Sequence, residues 1–307
     1  MRPALLLLLA ACTGAPKDDT GEAPVVDVCW TDLAPGDAAP VATGFADGTE
    51  GVSFVDGRLY VTVPTGVVEV GADGTVTPIV TLDHALGLAP AEGGLFVADP
   101  GEFTFDGSGD DGRVHFVDLG IGAARMILSG MPNPNFIATL PSGGLLVSDD
   151  TIEEILHADG ADVAVWTSLP SPNGMALAPD ASALYVATTF VTDPPLWRVP
   201  LAADGTPGTA EVVTTFDTGA APDGLAVSAD GAVWVALNLE NEIVRVDPET
   251  GEDDTLTTAV TTPASLAFGA GEAFDPCSLY VTELYGDTVW RVATGTPGAP
   301  IPVAPAP

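Results

Sequence analysis

Four oxygen-bearing side chains, Glu50, Asn135, Asn173 and Asp223, occupy the same point of an internal repeat. Each stands just before a short apolar run: Glu50-Gly-Val-Ser-Phe, Asn135-Phe-Ile-Ala, Asn173-Gly-Met-Ala-Leu and Asp223-Gly-Leu-Ala-Val. If the repeats close into a ring, equivalent points lie around one central axis and the four side chains converge. Two carboxylates and two amide oxygens, without Cys or His, suit a hard cation, Ca²⁺ or another divalent ion. Asn and Asp before Gly also shape turns through their tolerance of left-handed backbone. That explanation covers Asn173 and Asp223. It does not cover Glu50, a poor turn former, or Asn135, which precedes Phe136. The chemistry such a set can support is metal-assisted hydrolysis at a carbonyl, with Asp223 as ligand and as general base towards water.

The elements that must position this ring are short strands. Six stretches align, opening at Glu50, Leu86, Asn135, Asn173, Asp223 and Ala264, at spacings of 36 to 50 residues. Such a period, with about four strands per unit, marks propeller blades. The expected fold is all-β, a six-bladed β-propeller over 39–298 with about four antiparallel strands per blade. An open solenoid or a pair of sandwiches fits six phased repeats less well. Val41 to Phe45 is expected to complete the last blade from the N-terminal side and so hide an open edge. Residues 299–307 read as a loose proline-rich tail. Loops entering the inner strands share a face with the segments 99–112, 149–155, 188–195 and 238–242, so the ring lies under long loops. The acidic loop 106–112 resembles a calcium loop, but its glycine and its twelfth residue are misplaced, and it reads as a lid. Trp166, Trp197, Trp234 and Trp290 are expected between blades, and His84, His115 and His157 as packing or surface residues.

The chain of 307 residues carries 8 basic and 43 acidic side chains, a net charge of −35. That surface excludes nucleic acid as a partner and repels anionic lipid. Met1-Arg2-Pro3 followed by an apolar run ending in Leu9-Ala10-Ala11-Cys12 has the pattern of an export signal, too short to span a bilayer. It resembles a bacterial lipobox, which implies a signal peptide over 1–11, lipidation of Cys12 and a tether over 12–38. Thr13 after the cysteine points to the outer membrane, periplasmic or surface-facing, with membrane contact only through the anchor. An ordinary secretory signal is the alternative. The remaining Cys29 and Cys277 are either a disulfide joining the chain ends or two buried thiols. There is no Gly-x-Ser-x-Gly elbow, so Ser-His-Asp catalysis has no seed.

Pro172-Asn173-Gly174, Pro222-Asp223-Gly224 and Glu50-Gly51 resemble the inner-strand entries of the regucalcin / gluconolactonase / luciferin-regenerating-enzyme family. The likeness covers roughly 41–295. It implies a six-bladed propeller holding one divalent metal in its channel, with ligands corresponding to Glu50, Asn135, Asn173 and Asp223. The resemblance also implies substrate contacts at Asn133 and Glu153. Asn133 stands where the family's lactonases often have an Arg contacting a sugar acid, and Glu154 beside Glu153 leaves the register between those two open. The leading expectation is a lipid-anchored, monomeric, divalent-metal-dependent lactonase or esterase acting on a small molecule. The alternatives are a non-enzymatic surface propeller that binds a ligand or protein through its loop face, and a repeat scaffold that recruits proteins.

Overall fold

A computed structural model describes residues 29–307, apart from Phe105 and Ala161. Cys12, the leader and the first part of the tether lie outside the described residues. Among the described residues twenty-four strands form six four-stranded sheets, and the one helical element is a 3-10 turn at Asn238–Glu240. β1 (Ala38–Thr43) is set apart from the first blade. Blade one is β2 (Val52–Val55), β3 (Arg58–Val63), β4 (Gly66–Val70) and β5 (Val76–Thr81). Blade two is β6 (Leu88–Ala91), β7 (Gly94–Asp99), β8 (Gly112–Asp118) and β9 (Ala123–Met131). Blade three is β10 (Ile137–Thr139), β11 (Leu145–Ser148), β12 (Ile155–Asp159) and β13 (Asp162–Thr167). Blade four is β14 (Pro172–Leu177), β15 (Ala183–Thr188), β16 (Pro195–Pro200) and β17 (Glu211–Thr215). Blade five is β18 (Pro222–Val227), β19 (Val233–Leu237), β20 (Glu242–Val246) and β21 (Asp253–Thr257). Blade six is β22 (Pro263–Phe268), β23 (Ser278–Glu283) and β24 (Thr288–Ala293), completed by β1 in the order β1-β24-β23-β22.

That last pairing closes the ring. β1 runs antiparallel to β24 with Ala38 opposite Val292 and Thr43 opposite Thr288, so blade six takes its outer strand from the N-terminal side. Cys29 and Cys277 are disulfide-bonded, with Cα atoms 5.2 Å apart across 248 residues of sequence. Trp30 N–H donates to Asp275 Oδ1 at 2.9 Å and Gly36 N–H to the Ala293 carbonyl at 2.9 Å. The stretch 29–37, read from sequence as the end of a tether, is thus fastened to blade six.

The core lies between blades. Each apolar cluster joins the facing sides of two neighbouring sheets: Leu59 and Val61 of blade one meet Ala267 and Tyr280 of blade six. Phe96 and Phe116 of blade two meet Ile137 and Val147 of blade three. Trp234 of blade five meets Phe268 and Leu279 of blade six. The middle strands are therefore buried on both faces, as β15 and β23 are along their whole length. The fourth strands, such as β13 and β17, alternate poorly and face water.

The C-terminal tail is not loose. The Pro302 carbonyl accepts from Thr139 Oγ1 at 2.6 Å, the Ala304 carbonyl accepts from Glu92 N–H at 2.8 Å, and the Pro307 carbonyl accepts from Arg125. Proline removes donors but leaves every carbonyl free to accept, so a proline-rich segment can be held by donors from the blades it crosses. Ala299 to Val303, with Phe54, Phe136, Met175 and Phe268, enclose an apolar chamber of about 410 Å³ at the hairpin end of the channel.

Candidate metal and catalytic site

Backbone packing forces the ring to form. At Gly51, Gly174 and Gly224 a Cβ would meet the Leu86, Asp223 and Ala264 carbonyl oxygens at 2.4, 2.3 and 2.6 Å. The residues after Glu50, Asn173 and Asp223 must therefore lack a side chain for the inner strands to approach so closely, whereas Asn135 is followed by Phe136. Hydroxyls staple the same level: Thr62 Oγ1 donates to the Leu86 carbonyl at 2.8 Å, Ser148 Oγ to Asn173 at 2.7 Å and Thr189 Oγ1 to Pro222 at 2.7 Å. Blades four, five and six carry a register shift spanning 172–175, 222–225 and 263–266. A bulge re-aims the residue it contains, here Asn173 and Asp223. Ser171, Ala221 and Thr262, just before these bulges, have φ of 49°, 50° and 40°. Left-handed non-glycine backbone at three equivalent points is strain held in place by the closed ring.

The four sequence candidates do come together, and a fifth residue joins them. Asn135, Asn173 and Asp223 are buried, and Glu50 is half-buried with its Oε2 enclosed. Asp150, just beyond β11, is buried in the same field: its charge raises both Glu50 and Asp223. Burial pushes the Glu50 carboxyl up to about 8, with Asp150 adding to the rise. Burial also lifts Asp150 to about 7, with Asp149 adding, while a hydrogen bond from Asn135 opposes. Asp223 rises through burial and then the charges of Glu50 and Asp150, against hydrogen bonds from Asn173 and Asn238.

Three oxygens here are buried and have no hydrogen-bond partner: Glu50 Oε2, Asp150 Oδ1 and Asn173 Oδ1. All are acceptors. Buried polar atoms in native proteins are nearly always satisfied, and acceptors alone, two of them on carboxylates, call for a cation. Among the described residues no three His, Cys, Asp or Glu side chains form a compact cluster. The donor set instead mixes carboxylates with the amide oxygens of Asn135 and Asn173, all hard oxygen ligands. On the orphaned acceptors and the donor chemistry, these residues fit a divalent cation of the Ca²⁺ type.

Two residues escaped sequence reasoning. Asp150 was one acid among 43, in a loop already crowded with Asp149 and Glu153. Asn238 is buried and donates to Asp223 Oδ2 at 3.4 Å and to the Pro263 carbonyl at 3.2 Å, so it orients the Asp223 carboxylate. The faint signal for Asn238 was its place on a loop of the ring face.

The two substrate-contact candidates differ in setting. Asn133 is buried with its side chain fully engaged: Oδ1 accepts from Thr104 N–H at 2.9 Å, and Nδ2 donates to the Thr104 carbonyl at 2.8 Å and Thr151 Oγ1 at 2.7 Å. It clamps the acidic loop to blade three. Glu153 is exposed. Within the acidic loop, Asp106 and Asp111 accept from the Ser108 and Glu102 N–H groups. Asp99 accepts from His115 at 3.0 Å and lies 3.7 Å from Arg113.

Fold and site together define a six-bladed propeller with an acidic, oxygen-lined centre. Residues 155–284 match the SMP-30/Gluconolactonase/LRE-like region, which bears out the resemblance read from the inner-strand motifs. A 6-deoxy-6-sulfogluconolactonase of Pseudomonas putida is 34% identical over 112 residues, 36% of this chain and 37% of that relative's length. A luciferin-regenerating enzyme superposes with a TM-score of 0.71 at 17% identity, over 88% of this chain and 100% of that one. A calcium-binding regucalcin of Agrobacterium tumefaciens gives 0.66 at 21% identity over 88% and 96%. A Xanthomonas campestris gluconolactonase gives 0.66 at 16% over 87% and 99%.

Proposed function

We propose that the chain is a divalent-metal-dependent lactonase or esterase-like hydrolase with its cation in the central channel, exported and tethered through a lipidated Cys12. The single observation that carries this reading is the set of orphaned, buried acceptor oxygens at the end of the channel where the long loops lie. Glu50, Asn135, Asn173 and Asp223 would hold the ion, and the calcium-binding regucalcin neighbour supports Ca²⁺. When bound, such an ion polarises the substrate carbonyl and stabilises the developing oxyanion.

The chain's own residues supply the rest. Asn238 fixes one Asp223 oxygen, so the other has a set direction. A water placed against Asp223 gives up its proton to that carboxylate as it attacks the ester carbon. The likeness to gluconolactonases points to small sugar lactones as the substrate class.

The test is calcium titration by calorimetry alongside a lactone and ester panel, on the protein and on Asp223→Ala. Binding at one site and hydrolysis should both vanish in the variant. Full hydrolysis by Asp223→Ala with intact metal binding would sink the reading. A bound metal with no hydrolysis across the panel would favour a ligand-binding propeller.

A further inference from the structure

Among the described residues, three of the four most exposed large apolar side chains stand at one structural position. Phe190, Leu239 and Tyr285 are 60%, 60% and 79% exposed. Each lies two residues past the second strand of its blade, after Thr188 of β15, Leu237 of β19 and Glu283 of β23. They occupy equivalent points on three consecutive blades, at the end of the channel where the long loops lie. Their backbone is fixed: Phe190 N–H donates to Ser171 Oγ at 2.9 Å, Leu239 N–H to the Ala220 carbonyl at 3.1 Å and Tyr285 N–H to Thr262 Oγ1 at 3.2 Å. The residue before each ties the row to the site. Thr189 Oγ1 accepts from Asn173 Nδ2 at 3.0 Å, and Asn238 Nδ2 donates to Asp223 Oδ2 at 3.4 Å. Leu284 N–H donates to the Thr262 carbonyl at 2.9 Å, which also accepts from Asn238 Nδ2 at 3.4 Å. Other exposed apolar side chains, such as Val163, Val165 and Val212, stand on outer strands, away from the ring. Apolar side chains presented to water beside a polar site mark a ligand contact.

We propose that Phe190, Leu239 and Tyr285 form a ledge that receives an apolar substituent, aryl or alkyl, of the substrate. The inference rests on the hydrolase reading above for the reacting group. The likeness to gluconolactonases speaks to the lactone, and the ledge speaks to what that lactone carries. A bare polyhydroxy lactone would leave the three side chains in water. An aryl or alkyl group laid across them takes apolar surface of both partners out of water, which favours binding. Hydrogen bonds already hold the three backbone positions, so little ordering cost opposes the contact. The row stands on the blades that supply Asn173 and Asp223 and on the blade that follows, so it sets the side of the channel on which the apolar group lies.

Kinetics with butyrolactone and its γ-phenyl derivative, and calorimetry with the corresponding unreactive lactams, test the proposal on the full chain with calcium. Phe190→Ser, Leu239→Ser and Tyr285→Ser are compared with Ile121→Ser, a comparably exposed residue in the turn between β8 and β9. The phenyl derivative should show a kcat/KM about tenfold above that of the bare lactone, and its lactam should bind correspondingly more tightly. Each ledge variant should lose most of that advantage through KM, with kcat, calcium affinity and the rate on the bare lactone kept within about twofold. Ile121→Ser should leave the preference intact. Equal kcat/KM for the two lactones, or ledge variants that retain the preference, overturns the ledge and leaves the hydrolase reading standing. Hydrolysis of neither lactone, with binding of the phenyl lactam that the ledge variants lose, overturns the hydrolase reading and keeps the ledge as a ligand contact. Neither hydrolysis nor lactam binding overturns both.

Discussion

Without a bound cation, the stability of this protein should fall as pH rises from 5 to 8. Asp150 is raised from an ordinary 3.8 to about 7 by burial and by Asp149. At about 1.4 kcal/mol per tenfold change in proton affinity, that is about 4 kcal/mol. The folded carboxyl binds its proton more tightly than the unfolded one. Its contribution is therefore fully present below the unfolded value and is lost as pH climbs through the folded value. About 3 kcal/mol of it falls between pH 5 and 8, and Glu50, raised to about 8, extends the decline upward. At about 2 °C per kcal/mol for a domain of this size, Tm should drop by about 6 °C. Calcium at one hundred times its Kd should restore about 2.7 kcal/mol at pH 8 and almost nothing at pH 5. Thermal unfolding of the chelator-treated protein, with and without calcium, reads both. The surface charge of −35 also grows with pH, so Asp150→Asn is the control and should flatten the slope markedly. A metal-free Tm that is level or rising from pH 5 to 8, or a slope unchanged in Asp150→Asn, would refute the burial argument.

Other perturbations have equally definite outcomes. Reducing the Cys29–Cys277 bridge, which closes 248 residues of sequence, should remove about 5 kcal/mol on the chain-entropy account and lower Tm by about 10 °C in calorimetry. Asn238→Ala should cut kcat about tenfold through a misdirected Asp223, as a positioning residue does, while calcium affinity measured by calorimetry stays within about threefold. Gly174→Ala drives a Cβ to 2.3 Å from the Asp223 carbonyl oxygen; overpacking of that kind should cost about 2–3 kcal/mol, seen as a lower urea midpoint with an unchanged slope. Truncation after residue 298 uncovers the apolar chamber under Phe54, Phe136, Met175 and Phe268, so binding of an apolar fluorescent dye should rise clearly above that of the full chain.

Sequence alone determined the blade count, the strand order within a blade and the equivalent strand entries at which Glu50, Asn135, Asn173 and Asp223 stand, because each follows from a local pattern repeated in phase. The Asn-Gly and Asp-Gly entries are legible for a steric reason: the glycine lies against a neighbouring carbonyl, and no other residue fits. Closure of the last blade from the N-terminal side was also legible, since six repeats left one strand short at one end and one to spare at the other. Tertiary structure alone decided which further acid matters. Asp149, Asp150, Glu153 and Glu154 are alike as text, yet one is pinned by Asn133, one carries an orphaned oxygen in the channel, and Glu153 faces water. The same is true of Asn133, whose amide clamps the acidic loop, and of the proline tail, which is held by donors from blades two and three. Periodic patterns report which side of a strand is buried. The partner of a loop side chain is set by where another part of the chain happens to pass, and only the closed ring fixes that.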